Sequence, residues 1–117
     1  MSYSEPLQAV NTDESGVQNE TLPDIDYHTV KKAALVLRAL NHKLRQQIIK
    51  TIHENHRLTV TELYVKLRLE QSVASQHLAI LRKTGIVNTQ REGKFIFYTL
   101  NMSRIESINK FVKNLVR

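Results

Sequence analysis

Apolar side chains recur every three or four positions through most of this chain, switch to a denser β-branched pattern once, and are sparser over its first 24 residues. From Asp26 to Leu40, Val30, Ala33, Ala34, Leu37 and Leu40 keep helical spacing. A second helix is expected after Asn41, a good N-cap, with Leu44, Ile48, Ile49 and Ile52 as its buried stripe. In Leu58-Thr59-Val60-Thr61-Glu62-Leu63 the Thr-x-x-Glu spacing of Thr59 and Glu62 is that of a capping box. Leu58 and Leu63 sit where a hydrophobic staple closes. This fixes the start of a short third helix running to about Arg68. A turn at Leu69 to Gln71 then leads into a fourth helix, closed by Gly85. There Ala74, Leu78 and Leu81 stack at i, i+4 and i+7, while Gln71, Ser72, Ser75 and Gln76 project from the other side. Two short helices tightly joined, the second polar outward, form a helix-turn-helix.

After Gly85 the pattern becomes that of strands. Ile86 to Arg91 and Lys94 to Leu100 are rich in β-branched and aromatic residues, with Glu92-Gly93 between them as a tight turn. The last segment returns to helical spacing, with Ile105, Ile108, Val112 and Leu115 in a stripe and Phe111 beside it. The first 24 residues mix small polar and acidic types with few large apolar ones, so burial cannot offset the entropy of ordering them. Residues 1–25 are therefore read as a disordered acidic tail, either a solubilising leader or a competitor with DNA for basic surface. Residues 26–117 are read as one domain, mainly α with a β-hairpin wing. A terminal helix so apolar in so small a domain is expected to dock on a second copy as well as on its own core. First and last helices would pair across a twofold axis through Val30, Leu37, Ile105, Ile108, Val112 and Leu115.

Charge sharpens the picture. The formal net charge of +6 over 117 residues conceals an asymmetry: residues 1–26 carry six acids and no lysine or arginine. The remainder holds 17 basic and five acidic side chains, an excess of +12. A body of about ninety residues so charged attracts polyanions, of which nucleic acid is the commonest. An anionic membrane surface fits less well, because no helix has the bulky aromatic and basic faces of an interfacial anchor. No apolar stretch reaches the length of a bilayer span and no basic segment leads an apolar run at the N-terminus, so neither membrane nor signal segment is expected and a cytoplasmic location follows. With no cysteine in the chain, thiol catalysis, disulfides and thiolate metal sites are excluded.

The fourth helix is the best clue to chemistry. Serine and glutamine donate and accept hydrogen bonds at base edges without bulk, and Arg82 and Lys83 follow in the last turn to reach phosphates. Arg91 and Lys94 flank the hairpin turn, placed for a phosphate backbone or a minor groove. Taken alone, the helix face is equally well an ordinary solvated surface, and a merely solvated turn is the lesser reading of the hairpin tip. His53 and His56 are three apart and could share a helix face as metal ligands, but no third ligand lies near them in sequence, so no metal and no cofactor are assigned. Ser75 and His77 are two apart on a helix and point to different sides. With no glycine-rich phosphate loop and no convergent carboxylates, no catalytic residue and no enzyme activity are assigned. His77 is read as a packing or phosphate-contact residue.

Taken together, Ala39-Leu40-Asn41-His42-Lys43-Leu44-Arg45, the run Ser75-Gln76-His77-Leu78-Ala79-Ile80-Leu81-Arg82, and the hairpin Arg91-Glu92-Gly93-Lys94-Phe95-Ile96-Phe97-Tyr98-Thr99-Leu100 resemble the ArsR/SmtB family of winged-helix transcriptional regulators, over residues 27–117. The resemblance implies a homodimer built on the first and last helices, and repression through a near-palindromic operator on double-stranded DNA, usually relieved by an effector. It implies base contacts from Gln71, Ser72, Ser75 and Gln76 and phosphate contacts from Arg82, Arg91 and Lys94. The chain departs from the family where metals bind. Thr59 and Thr61 stand where arsenic and soft-metal sensors have Cys-x-Cys. Met102, Arg104 and Leu115 stand at positions of the interfacial zinc site, and the sequence has no residue at the fourth. Glu70 replaces a frequent capping serine, so Ser72 is considered as the cap instead. The alternative function is a winged-helix protein-interaction module, an adaptor or antitoxin-like partner.

Overall fold

The computed structural model describes residues 20–117; most of the acidic tail expected to be disordered, residues 1–19, lies outside the described residues. The elements run α1 (Tyr27–Leu40), α2 (Lys43–Asn55), α3 (Val60–Leu67), α4 (Gln71–Lys83), β1 (Val87–Glu92), β2 (Phe95–Leu100) and α5 (Met102–Leu115). The chain divides into two compact units between Val30 and Lys31. In the described part of the first unit, residues 20–26 have no regular structure and lead into the opening turn of α1. Asp26 caps that turn: its carboxylate accepts the Thr29 backbone N–H at 3.2 Å and the Thr29 hydroxyl at 2.6 Å. The hydroxyl bond leads in holding the carboxyl below its ordinary range.

In the second unit, Ile48 and Ile52 of α2, Leu63 of α3, and Ala74, Leu78 and Leu81 of α4 are buried with Leu58, Ile86 and Val87. Each large aliphatic side chain so buried contributes about 1.5–3 kcal/mol relative to exposure. The first and last helices contribute fewer fully buried side chains, Ala39 of α1 and Ile108 of α5, with Val36, Leu37, Leu40, Ile105 and Val112 half-buried against the core. Ile108, 8% exposed, therefore belongs to the chain's own core.

Local chemistry sets the helix ends. The capping box forms in full, with the Thr59 hydroxyl accepting from the Glu62 N–H at 3.2 Å and the Glu62 carboxylate accepting from the Thr59 N–H at 2.9 Å. Arg68, left-handed at φ 56, ends α3, and the Leu69 N–H bonds to the Tyr64 carbonyl at 2.9 Å. Three expectations shift by a residue or two. The N-cap of α2 is His42, not Asn41, and its Nδ1 faces the Arg45 N–H at a long 3.5 Å. The first helical bond of α2 runs from the Gln46 N–H to the His42 carbonyl at 3.0 Å, which puts the cap position on His42, while Asn41 still donates its N–H to the Leu37 carbonyl at 2.9 Å at the end of α1. Ser72 is not the cap of α4 either. The Glu70 carbonyl already accepts from Val73 and Ala74 at 3.1 Å, so the helix starts at Gln71 with Glu70 at the cap position and no side-chain bond there.

The third shift is in the wing. Strands β1 and β2 pair antiparallel with Val87 opposite Leu100 and Glu92 opposite Phe95, which leaves Gly93-Lys94 as the turn in place of Glu92-Gly93. Gly93 has φ 61 and Lys94 has no positive φ, so the glycine occupies the first central position, as a type II′ hairpin turn requires. The hairpin is tied inward by a short bridge, in which Leu58 and Tyr98 exchange N–H to carbonyl bonds of 3.1 and 2.7 Å.

Candidate nucleic-acid interface

Helix α4 has two sides because its sequence does. Ala74, Leu78 and Leu81 are buried, Val73 and His77 are half-buried, and Gln71, Ser72, Ser75, Gln76, Ala79 and Arg82 are all exposed. The outward side is thus a strip of amides and hydroxyls ending in a guanidinium, with small Ala79 leaving room for close approach. Lys83 adds a second cation in the final turn, where positive charge also suits the helix dipole.

The orientation of α4 depends on a contact that the sequence did not disclose. Arg45, only 7% exposed, precedes the apolar stripe residues Ile48 and Ile52 by one and two helical turns, so its guanidinium is carried into the body. There Nε donates to the Ala39 carbonyl at 2.7 Å and Nη2 to the Arg38 carbonyl at 3.1 Å, neutralising the negative end of α1. Nη1 points to His77 Nδ1 at 3.1 Å. One buried cation therefore joins the last carbonyls of α1 to α4. An arginine in phase with an isoleucine stripe was the signal available in the sequence.

His77 also stands against the ring of His42, 4.9 Å between centroids. Burial, then the neighbouring His42 and Arg45, push its pKa below the ordinary 6.5. The neutral ring, with its Nδ1 lone pair toward Arg45, is therefore the folded form. The unfolded chain takes up this proton first, so its stability contribution is full above about pH 6.5 and declines as pH falls below that value. Acidifying from about pH 7.5 to pH 5.5 should lower the melting temperature, and His77→Gln should flatten part of that dependence; an unchanged pH slope in the variant would count against this account.

The wing presents the second group. Arg91 and Lys94 are exposed, the latter at the tip with its ammonium 5.3 Å from the Phe95 ring centroid. Glu92, the acid of the hairpin, is matched by Arg57, whose Nη1 meets its carboxylate at 2.6 Å while the guanidinium lies 3.9 Å from the Phe97 ring centroid. With both side chains nearly half exposed, the pair contributes at most about 1 kcal/mol. Its larger effect is to cancel a negative charge beside two basic residues. Neither Arg57 nor its pairing was foreseen from the sequence.

The residues singled out for DNA contact thus fall into two exposed groups, one on α4 and one on the wing, and no hydrogen bond among the described residues joins them. Those singled out for a dimer divide as well. Leu37, Ile105 and Val112 are half-buried, Val30 and Leu115 are exposed at 54% and 61%, and Ile108 is buried. Hollows of about 600 and 250 Å³ flank the residues where α1 and α5 approach. Among the described residues no three His, Cys, Asp or Glu side chains cluster as a metal would need, and no helix is long and apolar enough to cross a membrane.

Comparison with known proteins agrees with this geometry. Residues 42–89 match the model described as bacterial regulatory protein, arsR family. The transcriptional activator HlyU of Vibrio cholerae is 39% identical over 84 residues, covering 72% of this chain and 77% of that one. The transcriptional repressor PagR of Bacillus anthracis is 31% identical over 88 residues, 75% of this chain and 88% of that one. The crystal structure of PagR superposes with a TM-score of 0.59 at 30% identity, covering 74% of this chain and 99% of the other. With its α3–α4 helix-turn-helix and hairpin wing, this chain belongs to the arsR family and is a DNA-binding transcriptional regulator of the winged-helix kind.

Proposed function

We propose that the chain is a homodimeric, metal-independent repressor that reads a near-palindromic operator, acting in the cytoplasm and without catalytic activity. The observation that carries the reading is the α4 face: Gln71, Ser72, Ser75 and Gln76 stand exposed opposite a fully buried apolar back, in a body strongly enriched in basic residues. These four contact base edges, while Arg82, Arg91 and Lys94 hold phosphates. Two copies related by a twofold axis set two such helices on successive major-groove turns. Relatives named as activator and as repressor show that the sign of regulation varies. Repression is the simpler outcome, since covering an operator needs only the DNA-binding faces already described. Ser75 and His77 do not act as a pair, since His77 faces Arg45.

Genomic fragments retained by the purified protein supply the operator, and two variants then separate base reading from phosphate holding. Gln76 has an amide able to pair bidentately with adenine, worth about 1–3 kcal/mol of discrimination. Gln76→Ala should narrow the gap between operator and scrambled duplex and leave the salt slope nearly intact. Lys94→Ala should weaken both duplexes alike and lower the slope by roughly 1 for every phosphate that each subunit no longer holds. A neutral Gln76→Ala would mean that the assigned contact register is wrong. Zinc or arsenite at stoichiometric levels should leave operator affinity unchanged, given Thr59, Thr61, Met102, Arg104 and Leu115 at the family's ligand positions. A tight zinc complex weakened by changing His53 or His56 would overturn metal independence.

One observation favours the second reading, a protein-interaction module: Phe95 and Ile96 stand 51% and 44% exposed beside the wing tip. Weak, salt-insensitive DNA affinity would select it.

A further inference from the structure

We propose that the cleft between α1, the C-terminal end of α4 and the start of α5 binds a small amphipathic carboxylate, which lowers the affinity of the regulator for DNA. The inference rests on the DNA-binding reading above and names the chemical class of its effector.

The cleft has a volume of about 660 Å³, within the roughly 300–1,000 Å³ range of small-molecule sites. Its floor is aliphatic, from Leu35, Val36, Ala39 and Ile80. Leu35 and Ile80 are 45% and 39% exposed, more than apolar side chains of the core allow. Its rim is cationic, from Lys32, Arg38, Lys83 and Arg104, and among the described residues no acid lines it. Among the described residues the one ion pair is Arg57–Glu92, so none of these four cations meets a carboxylate. Arg104 is held in place by the Thr84 carbonyl, which accepts from Nε at 3.3 Å and Nη2 at 3.2 Å; Nη1 has no partner among the described residues. Gly85 lets it lie there, since a Cβ at that position would stand 3.3 Å from Arg104 Nε.

An apolar floor under a ring of unmatched cations is complementary to one kind of small molecule, a hydrocarbon body with an anionic head. A second copy of the chain is a poor occupant. Helix α5 carries Arg104, Lys110 and Lys113 against the single acid Glu106, and Glu106 lines the hollow on the other side.

Coupling to DNA follows from who lines the rim. Lys32 and Arg38 belong to α1, Lys83 to the last turn of α4, next to Arg82. A carboxylate bridging them cancels positive charge on the recognition helix and ties its end to α1. The effect is reciprocal: operator lowers the affinity for the carboxylate by the same factor.

The test titrates the full chain calorimetrically with octanoate, and with octanamide as its uncharged counterpart. Saturable binding of one octanoate per chain is expected, roughly tenfold tighter than octanamide, and weakened roughly tenfold in Lys32→Gln/Arg38→Gln at unchanged melting temperature. Saturating octanoate should weaken operator binding by roughly fivefold or more. Equal binding of acid and amide, or an unaffected double variant, overturns the site. Octanoate binding with no change in operator affinity overturns the regulatory role. Loss of octanoate binding on self-association at raised chain concentration assigns the cleft to a second copy and also overturns the proposal. The calorimetry needs no DNA, so a failure of operator binding without octanoate falls on the functional reading alone.

Discussion

A chain carrying both Phe111→Glu and Leu115→Glu is expected to sediment as a monomer at tens of micromolar and to lose operator affinity by roughly a thousandfold, because a monomer holds one half-site where a dimer holds two. The motive is the unequal burial of the helices. α1 and α5 each bury a single side chain, while Phe111, Leu115 and Val116 stand 51%, 61% and 77% exposed at the end of α5. Apolar surface left open on a terminal helix is the raw material of a self-complementary interface. Two carboxylates there must be desolvated for the faces to meet, and that cost prevents pairing. Ile108→Glu is the wrong choice for this purpose, since Ile108 lies in the chain's own core and a charge there would unfold the protomer. Phe111 and Leu115 are exposed, so the double variant should keep its helical circular dichroism. If it sediments as a dimer, the α1–α5 face is not the interface, and half-site geometry must be sought elsewhere.

Arg45→Met should cost about 3 kcal/mol of folding stability, read as a lower urea midpoint at unchanged m and one fixed protein concentration. Methionine keeps much of the volume and removes the guanidinium. The Ala39 and Arg38 carbonyls then lose donors at 2.7 and 3.1 Å, and His77 Nδ1 loses its partner at 3.1 Å, all in or beside the core. Buried ion pairs are often replaced by apolar groups without loss, but here the cation faces neutral carbonyls and an imidazole, for which Arg45 is the one side-chain donor among the described residues. Arg45→Lys keeps the charge and loses the fork, so it should fall between the two. A cost under about 1 kcal/mol for the methionine variant would mean that water or a local shift satisfies these acceptors.

Much of the fold was legible because its signals are local. Thr59 and Glu62 lie three apart and cap one another; Ala74, Leu78 and Leu81 need only the helical period to reveal their face. The hairpin was equally visible, but its turn lay one residue further on, because glycine at the first central position selects the turn type and the choice between neighbouring pairs is made by strand register. Asn41 misled for a related reason: its capping propensity was real, but the first carbonyl of α2 to accept a helical bond is that of His42, one residue further on. The site was legible only in part. Exposed Gln76 and Lys94 can be named from pattern. The Arg45–His77 contact joins residues 32 apart and appears only when three helices are assembled. The same holds for Arg57 and Glu92, 35 apart, and for the cationic rim drawn from α1, α4 and α5.

The two-residue wing turn also limits how this protein can evolve. Tyr98 and Leu100 of β2 pack against the core, while Phe97, on the opposite face, receives Arg57. Inserting one residue into either strand would exchange those faces and move every side chain beyond it to the wrong side. The reach of the wing can therefore change by substitution at Lys94 or by insertion in cross-strand pairs, while Gly93 is held by its positive φ and a single-residue insertion within a strand is accommodated only as a bulge. Lineages descended from this chain should thus vary in the chemistry of the wing tip long before they vary in its length.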